Sequence, residues 1–166
     1  MHENPGLAII RAMQNHRPNL PYRNLPLLLL QTYEAVFANF RPILTEAGLT
    51  GQQWRVIRVL LDHEALEPRQ ICKACCLSSP SLAGILARMD DLGLVQRRRL
   101  EHDQRRLHVS LTPKGLALAA ELGPRVEEAY QALEATLGER LNSQLYRALD
   151  QTLGRMDVAP FDQFMD

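Results

Sequence analysis

The side chains best equipped for chemistry in this chain are arginines and thiols. Arg97, Arg98 and Arg99 are consecutive, and Asp103, Arg105 and Arg106 follow closely. Guanidinium groups carry a permanent charge and a rigid fork of donors that matches phosphates and base edges. Leu107, Val109 and Leu111 alternate with Arg106, His108 and Ser110, the period of a half-buried strand. Residues 94–100 supply a partner strand, so the arginines belong to a two-stranded hairpin with a positive tip. Arg105 is the foremost tip candidate, because a narrow minor groove focuses negative potential. Strand neighbours point to opposite faces, so Arg97 and Arg99 do not share a face with Arg98. Arg97, Arg98, Arg99 and Arg106 divide between phosphate contact and plain solvation. Asp103 is an odd acid for such a tip unless it orients an arginine.

Cys72, Cys75 and Cys76 contain a Cys-x-x-Cys spacing. It suits a redox pair or half a zinc site. No second pair or His-x₃-His follows, and the five histidines lack ligand spacing, so no metal is expected. The thiols fall on a predicted short helix and are expected as buried small hydrophobes. Oxidation sensing is the alternative, and it requires an exposed thiol of low pKa. Three cysteines make no disulfide framework and fit a reducing cytosol. The sequence has no Gly-rich phosphate loop, no Gly-x-Ser-x-Gly and no His-Glu-x-x-His. Asp90 and Asp91 adjoin on a helix and diverge. An enzyme, or a protein with a cofactor, is therefore not expected.

Formal net charge is zero, but it is unevenly spread. Residues 68–115 hold nine Lys/Arg against four acids, and the remainder is acidic by the same margin of five. A basic segment inside a neutral chain marks a localised nucleic-acid face. Purely apolar runs such as Leu27–Leu30 are far too short to span a bilayer, and the N-terminus lacks a signal peptide's apolar core. A cytoplasmic protein is expected.

The elements that must position these residues are mostly helical. Residues 1–23 form an arm with Pro5, Pro18 and Pro21. Leu29, Tyr33, Val36, Phe37, Phe40, Ile43 and Leu44 give residues 24–46 one apolar helical face, with Pro42 kinking or ending it. Thr50 and Gln53 form a capping box before a helix that turns Trp54, Ile57, Leu60 and Leu61 inward. Pro68 opens a short helix to about Cys75. Ser79 and Pro80 open another, ended by Gly93, with Leu82, Ile85, Leu86, Met89 and Leu92 in one stripe. Its other face offers Ser79, Ser81, Gly84 and Arg88 to a major groove. Ser79 either caps the helix or reaches a base, and Arg88 meets either base or phosphate. After the hairpin, Thr112 caps a helix begun by Pro113. Helical segments at 113–137 and 139–156 follow, with bends at Gly123–Pro124 and Gly138. Leu133, Leu137, Leu141, Leu145, Leu149 and Leu153 recur every four residues. Two short helices, a tight turn and a hairpin describe a winged helix-turn-helix. The fold class is mainly α with a small β-wing, plus a helical dimerisation region.

Three motifs resemble the MarR family of transcriptional regulators over residues 24–156. They are Gly48–Leu49–Thr50 with Gln53–Trp54–Arg55–Val56; Ser79–Pro80–Ser81–Leu82 with Leu86, Met89 and Leu92–Gly93–Leu94–Val95; and Asp103-x-Arg105 with Leu111–Thr112-x-x-Gly115. Phe40–Arg41–Pro42 adds a resemblance to the branch that regulates homoprotocatechuate degradation. The resemblance implies a homodimer with interlocked terminal helices at 24–48 and 113–157. Each protomer would present a winged domain, residues 49–112, to half of a palindromic double-stranded operator. A tail at 158–166 is left loosely held. Asp103 would orient the wing arginine, and a small aromatic acid would release the DNA. The family's effector pocket lies where the winged domain meets the dimerisation helices. Arg23, Trp54, Arg55 and Arg58 fall near that junction, and an aromatic carboxylate wants one arginine and an apolar wall.

Overall fold

The computed structural model describes residues 22–100 and 103–156, without the side chains of 100 and 103–105. The expected tail, and the arm up to residue 21, lie outside the described residues. The chain divides into two units, residues 1–35 and 36–166, each taken by itself.

In the first unit, residues 25–35 form most of helix α1 (Leu25–Phe37). Asn24 Oδ1 accepts the Leu27 N–H at 3.0 Å and so satisfies one of the donors a helix start leaves open. Spacing places Leu29 and Tyr33 on an inward face, yet both are exposed, with Leu25, Leu27 and Leu30. The described part of this unit is one helix, which has no second layer to cover an apolar stripe.

In the second unit α1 ends at Phe37, and the chain restarts as α2 (Arg41–Glu46). Pro42 sits in the first turn of α2, where its missing N–H would have had no partner. The helix expected to kink or end at Pro42 thus ends at Phe37, and Pro42 lies in the first turn of the next one. Next come α3 (Gly51–Leu61), α4 (Pro68–Cys75), α5 (Ser79–Asp91), β1 (Val95–Leu100), β2 (Asp103–Leu111), α6 (Pro113–Leu137) and α7 (Glu139–Arg155). The Thr50 box at the start of α3 forms in both directions, Gln53 N–H to Thr50 Oγ1 at 3.2 Å and Thr50 N–H to Gln53 Oε1 at 2.8 Å.

The core lies among α3, α4, α5 and the base of the wing. Val56, Ile57, Ile71, Leu82, Ile85, Met89, Val95 and Val109 are at most 2% exposed. Each such aliphatic residue contributes about 1.5–3 kcal/mol on burial. Leu61 and Leu92, expected inward, are exposed. Leu61 stands one residue past buried Leu60, a turn of about 100° that carries it off the core face, whereas Leu92 lies just past the end of α5, where the chain turns into Gly93.

The strands pair antiparallel, from Val95 opposite Leu111 to Arg99 opposite Leu107, with an irregularity between Arg99 and Leu100. Leu66 bridges the free edge of β2: its N–H donates to Val109 O at 3.0 Å, and the Val109 N–H returns to Leu66 O at 2.8 Å. Pro124 lies inside α6 without breaking it, and Gly138 separates α6 from α7.

Candidate nucleic-acid interface

The helix-turn-helix is closed by a three-residue turn. Cys76 ends α4 in the left-handed region at φ 50°. The Leu77 N–H donates to Cys72 O at 2.9 Å, a bond that ties off the last turn of α4. Ser78, not Ser79, caps α5: its Oγ accepts the Ser81 N–H at 3.3 Å and lies 2.8 Å from Ser81 Oγ. That removes the capping alternative for Ser79, which becomes the first helical residue.

Leu82, Ile85, Leu86 and Met89 anchor α5 in the core. The opposite side is stripped of bulk. Ser79, Ser81 and Arg88 are exposed, and Gly84 is half-buried. Ser81, Gly84 and Arg88 share a face by helical spacing. A Cβ on Gly84 would meet only Arg88 Nη1, at 3.9 Å. The backbone of α5 can therefore approach another surface closely.

The far end of α5 is fastened to α6. Gly93 takes φ 69°, and the Leu94 N–H donates to Met89 O at 2.8 Å. Thr112 Oγ1 donates to Gly93 O at 2.6 Å, and Lys114 Nζ to Leu92 O at 2.8 Å. A Cβ on Gly115 would lie 2.2 Å from Leu94 O, so only glycine permits this approach.

The register sorts the wing arginines as expected: Arg97 and Arg99 lie across from Val109 and Leu107, and Arg98 across from His108. Arg97 pairs with Asp90 of α5 at 3.4 Å. Arg98 donates to Gln96 Oε1 at 3.0 Å. Arg106 pairs with Glu67, with its Nε 2.5 Å from Oε1. Asp103 and Arg105 fall within β2, but their side chains are outside the described residues.

The effector candidates scatter. Trp54 is buried and Arg58 exposed, on one face of α3 by i, i+4 spacing. Arg55 Nη1 donates to Cys75 O at 2.7 Å, at the C-terminus of α4, where a cation is favourable. Arg23 is exposed and belongs to the first unit. An open cleft of about 370 Å³ is lined by Phe37, Arg41, Leu44, Thr45, Thr50 and Gly51, among others. The Arg41 guanidinium lies 5.7 Å from the Phe37 ring centroid. In the sequence Arg41 stands out only as part of the Phe40–Arg41–Pro42 motif. Its place beside an aromatic wall depends on the break between α1 and α2.

The thiols do not behave alike. Cys75 is fully buried, and burial pushes its pKa up to about 12 against a smaller opposing pull from Arg55. It is a core residue, as expected. Cys72 is half-buried, and Cys76 is exposed, which corrects the expectation for that residue. No grouping of three or more metal-ligating side chains occurs among the described residues. No described helix is long and apolar enough to cross a membrane.

Sequence reasoning missed the Leu66 bridge and the role of Glu67. Leu66–Glu67–Pro68 carried a signal, since residues before proline favour extended backbone.

Comparison with known proteins follows the same outline. A MarR family model matches residues 47–106. The chain is 44% identical over 110 residues to the HTH-type transcriptional regulator FarR of Neisseria gonorrhoeae, covering 66% of this chain and 75% of that one. It is 39% identical over 128 residues to the homoprotocatechuate degradative operon repressor of Escherichia coli, covering 77% and 86%. The crystal structure of NadR in complex with 4-hydroxyphenylacetate superposes with a TM-score of 0.70 at 37% identity, covering 82% and 96%.

Proposed function

The chain belongs to the MarR family of DNA-binding transcriptional regulators, and we propose that it works as a homodimeric repressor of an aromatic-acid catabolic operon. It binds a palindromic operator and is released by a small aromatic carboxylic acid. The observation that carries the DNA side is the stripped face of α5 beside a cationic wing. Ser79 and Ser81 reach base edges or phosphate at the start of the helix, Gly84 admits the backbone, and Arg88 meets base or phosphate. Arg105 enters the minor groove, oriented by Asp103. Arg97, Arg98 and Arg99, on two faces of β1, divide between phosphate contact and solvation; phosphate contacts give affinity but no sequence information.

The effector class rests on the relatives. One of them binds 4-hydroxyphenylacetate and another represses a homoprotocatechuate operon. Trp54 and Arg58 supply an apolar wall and a cation on one face of α3. The cleft at Gly51, with Arg41, adds a second cation within the same unit. Arg55 is engaged with the Cys75 carbonyl, which favours Arg58 as the carboxylate partner. Arg23 stands on the sequence reading alone.

The test is a gel shift on the intergenic DNA upstream of the protein's own gene, with and without a panel of hydroxylated phenylacetates, benzoates and nicotinates. A retarded band relieved by one acid is expected. A band that no acid relieves sinks the effector half, and no band on any upstream fragment sinks the operator.

A further inference from the structure

Arg106 looks like one more phosphate contact, but its geometry points elsewhere. The Leu66–Val109 bridge runs antiparallel, so Glu67 comes to lie across from His108. Arg106, two residues along β2, shares that face. Glu67 Oε1 takes both Nε and Nη2 of Arg106. The Glu67 side chain is only 25% exposed. The Nε2 of His108, buried and without a hydrogen bond among the described residues, stands 3.8 Å from the same oxygen, beyond bonding reach. Arg106 is therefore the partner that matters. The Glu67 N–H in turn donates to Gln70 Oε1 at 2.8 Å, which ties the residue to the first turn of α4.

We propose that Glu67 is a positioning residue for DNA binding, holding the wing against the first helix of the helix-turn-helix through Arg106. The proposal rests on the DNA-binding reading above. It assigns Arg106 to an internal clamp spanning 39 residues of sequence rather than to the operator. A guanidinium already met by a carboxylate has little charge left for phosphate, whereas a wing held at fixed pitch delivers its tip to one place in the groove. The clamp thus acts on discrimination between operator and random DNA, not on general attraction.

The experiment is a double-mutant cycle on the full chain, with Glu67→Gln, Arg106→Gln and the pair. Each is titrated against the upstream intergenic DNA and against random duplex at several salt concentrations. Either single change is expected to weaken operator binding about tenfold, with the pair no worse, as for two residues acting as one unit. Random-duplex affinity and the salt slope should stay near wild type. Losses that multiply overturn the clamp. So does an Arg106→Gln slope smaller by about two per dimer, the mark of a lost phosphate contact on each protomer. Hydrogen exchange decides the matter without DNA. In Glu67→Gln the Leu66 and Val109 amides should exchange faster while the amides of α3 hold their rates. Unchanged exchange at those two amides overturns the proposal. A wild-type protein that shifts no DNA would instead sink the regulatory reading and leave this second arm to judge the clamp.

Discussion

The winged region and the last helix spend their apolar residues in opposite ways. From α3 to β2 nearly every large aliphatic side chain points inward, and the surface is left to serines, glycine and arginines. On α7 no residue is buried, and Leu141, Tyr146, Leu149 and Leu153 are exposed. The first region is complete as one copy. The second resembles half of an interface, since the leucine spacing makes a stripe too continuous for scattered surface residues. The difference divides labour under the proposed dimer: one region reads, the other holds two readers at a fixed separation.

The harshest way to break that comparison is to charge the stripe. Leu145→Glu with Leu149→Glu should convert the dimer to monomer in light scattering and lower operator affinity by about a hundredfold or more, because bivalent binding is lost. The winged core should keep its helical circular dichroism. A mutant that stays dimeric would end the division of labour. Next is the seam between α5 and α6. Gly115→Val should cost about 3 kcal/mol or more in denaturant unfolding, since its Cβ meets the Leu94 carbonyl. Arg105→Ala leaves folding alone and should weaken operator binding by about 1–3 kcal/mol in titrations of the folded dimer. Normal affinity would remove it from the tip role.

The smallest effect sharpens the inward–outward contrast within the reading region itself. Cys76 should react with a thiol reagent in the native protein, whereas Cys75 stays protected until unfolding. Mass spectrometry of the labelled peptides checks this. The folded-state pKa of Cys75, about 12, is raised above its ordinary value of 9.0. Its protonated form is the one folding favours. That contribution is full below the unfolded pKa and fades as pH climbs from about 9 toward 12, so alkaline melting should be milder in Cys75→Ala than in wild type.

Much of this architecture was legible because its signals are local. The Thr50 box, Pro68, Thr112 with Pro113, and the alternation along 107–111 each act within a few residues. The core stripes of α3 and α5 followed from period alone, except at their last positions, Leu61 and Leu92. What escaped depends on pairing between distant segments. Nothing at residue 67 announces Arg106, because the contact exists only once Leu66 is placed beside Val109. Pro42 signalled a break, but not its place: the apolar period runs on to Leu44, while the chain turns earlier, at Asn39 and Phe40, whose N–H groups close back on the Val36 and Phe37 carbonyls. The face of α5 was read correctly as small and polar, yet its cap was misplaced by one serine, since Ser78 and Ser79 carry the same chemistry and only geometry separates them.

The Gly115 seam also has a mechanical consequence. It joins α5 to α6 through two side-chain donors and a backbone approach with no room for a methyl group, so there is little slack between them. With 25 residues, α6 is a rod about 37 Å long at roughly 1.5 Å per residue. A tilt of only ~5° carries the far end of such a rod through about 3 Å. Read in reverse, a shift of that size at the far end becomes a turn of the reading helix, and the joint is the fulcrum of a lever.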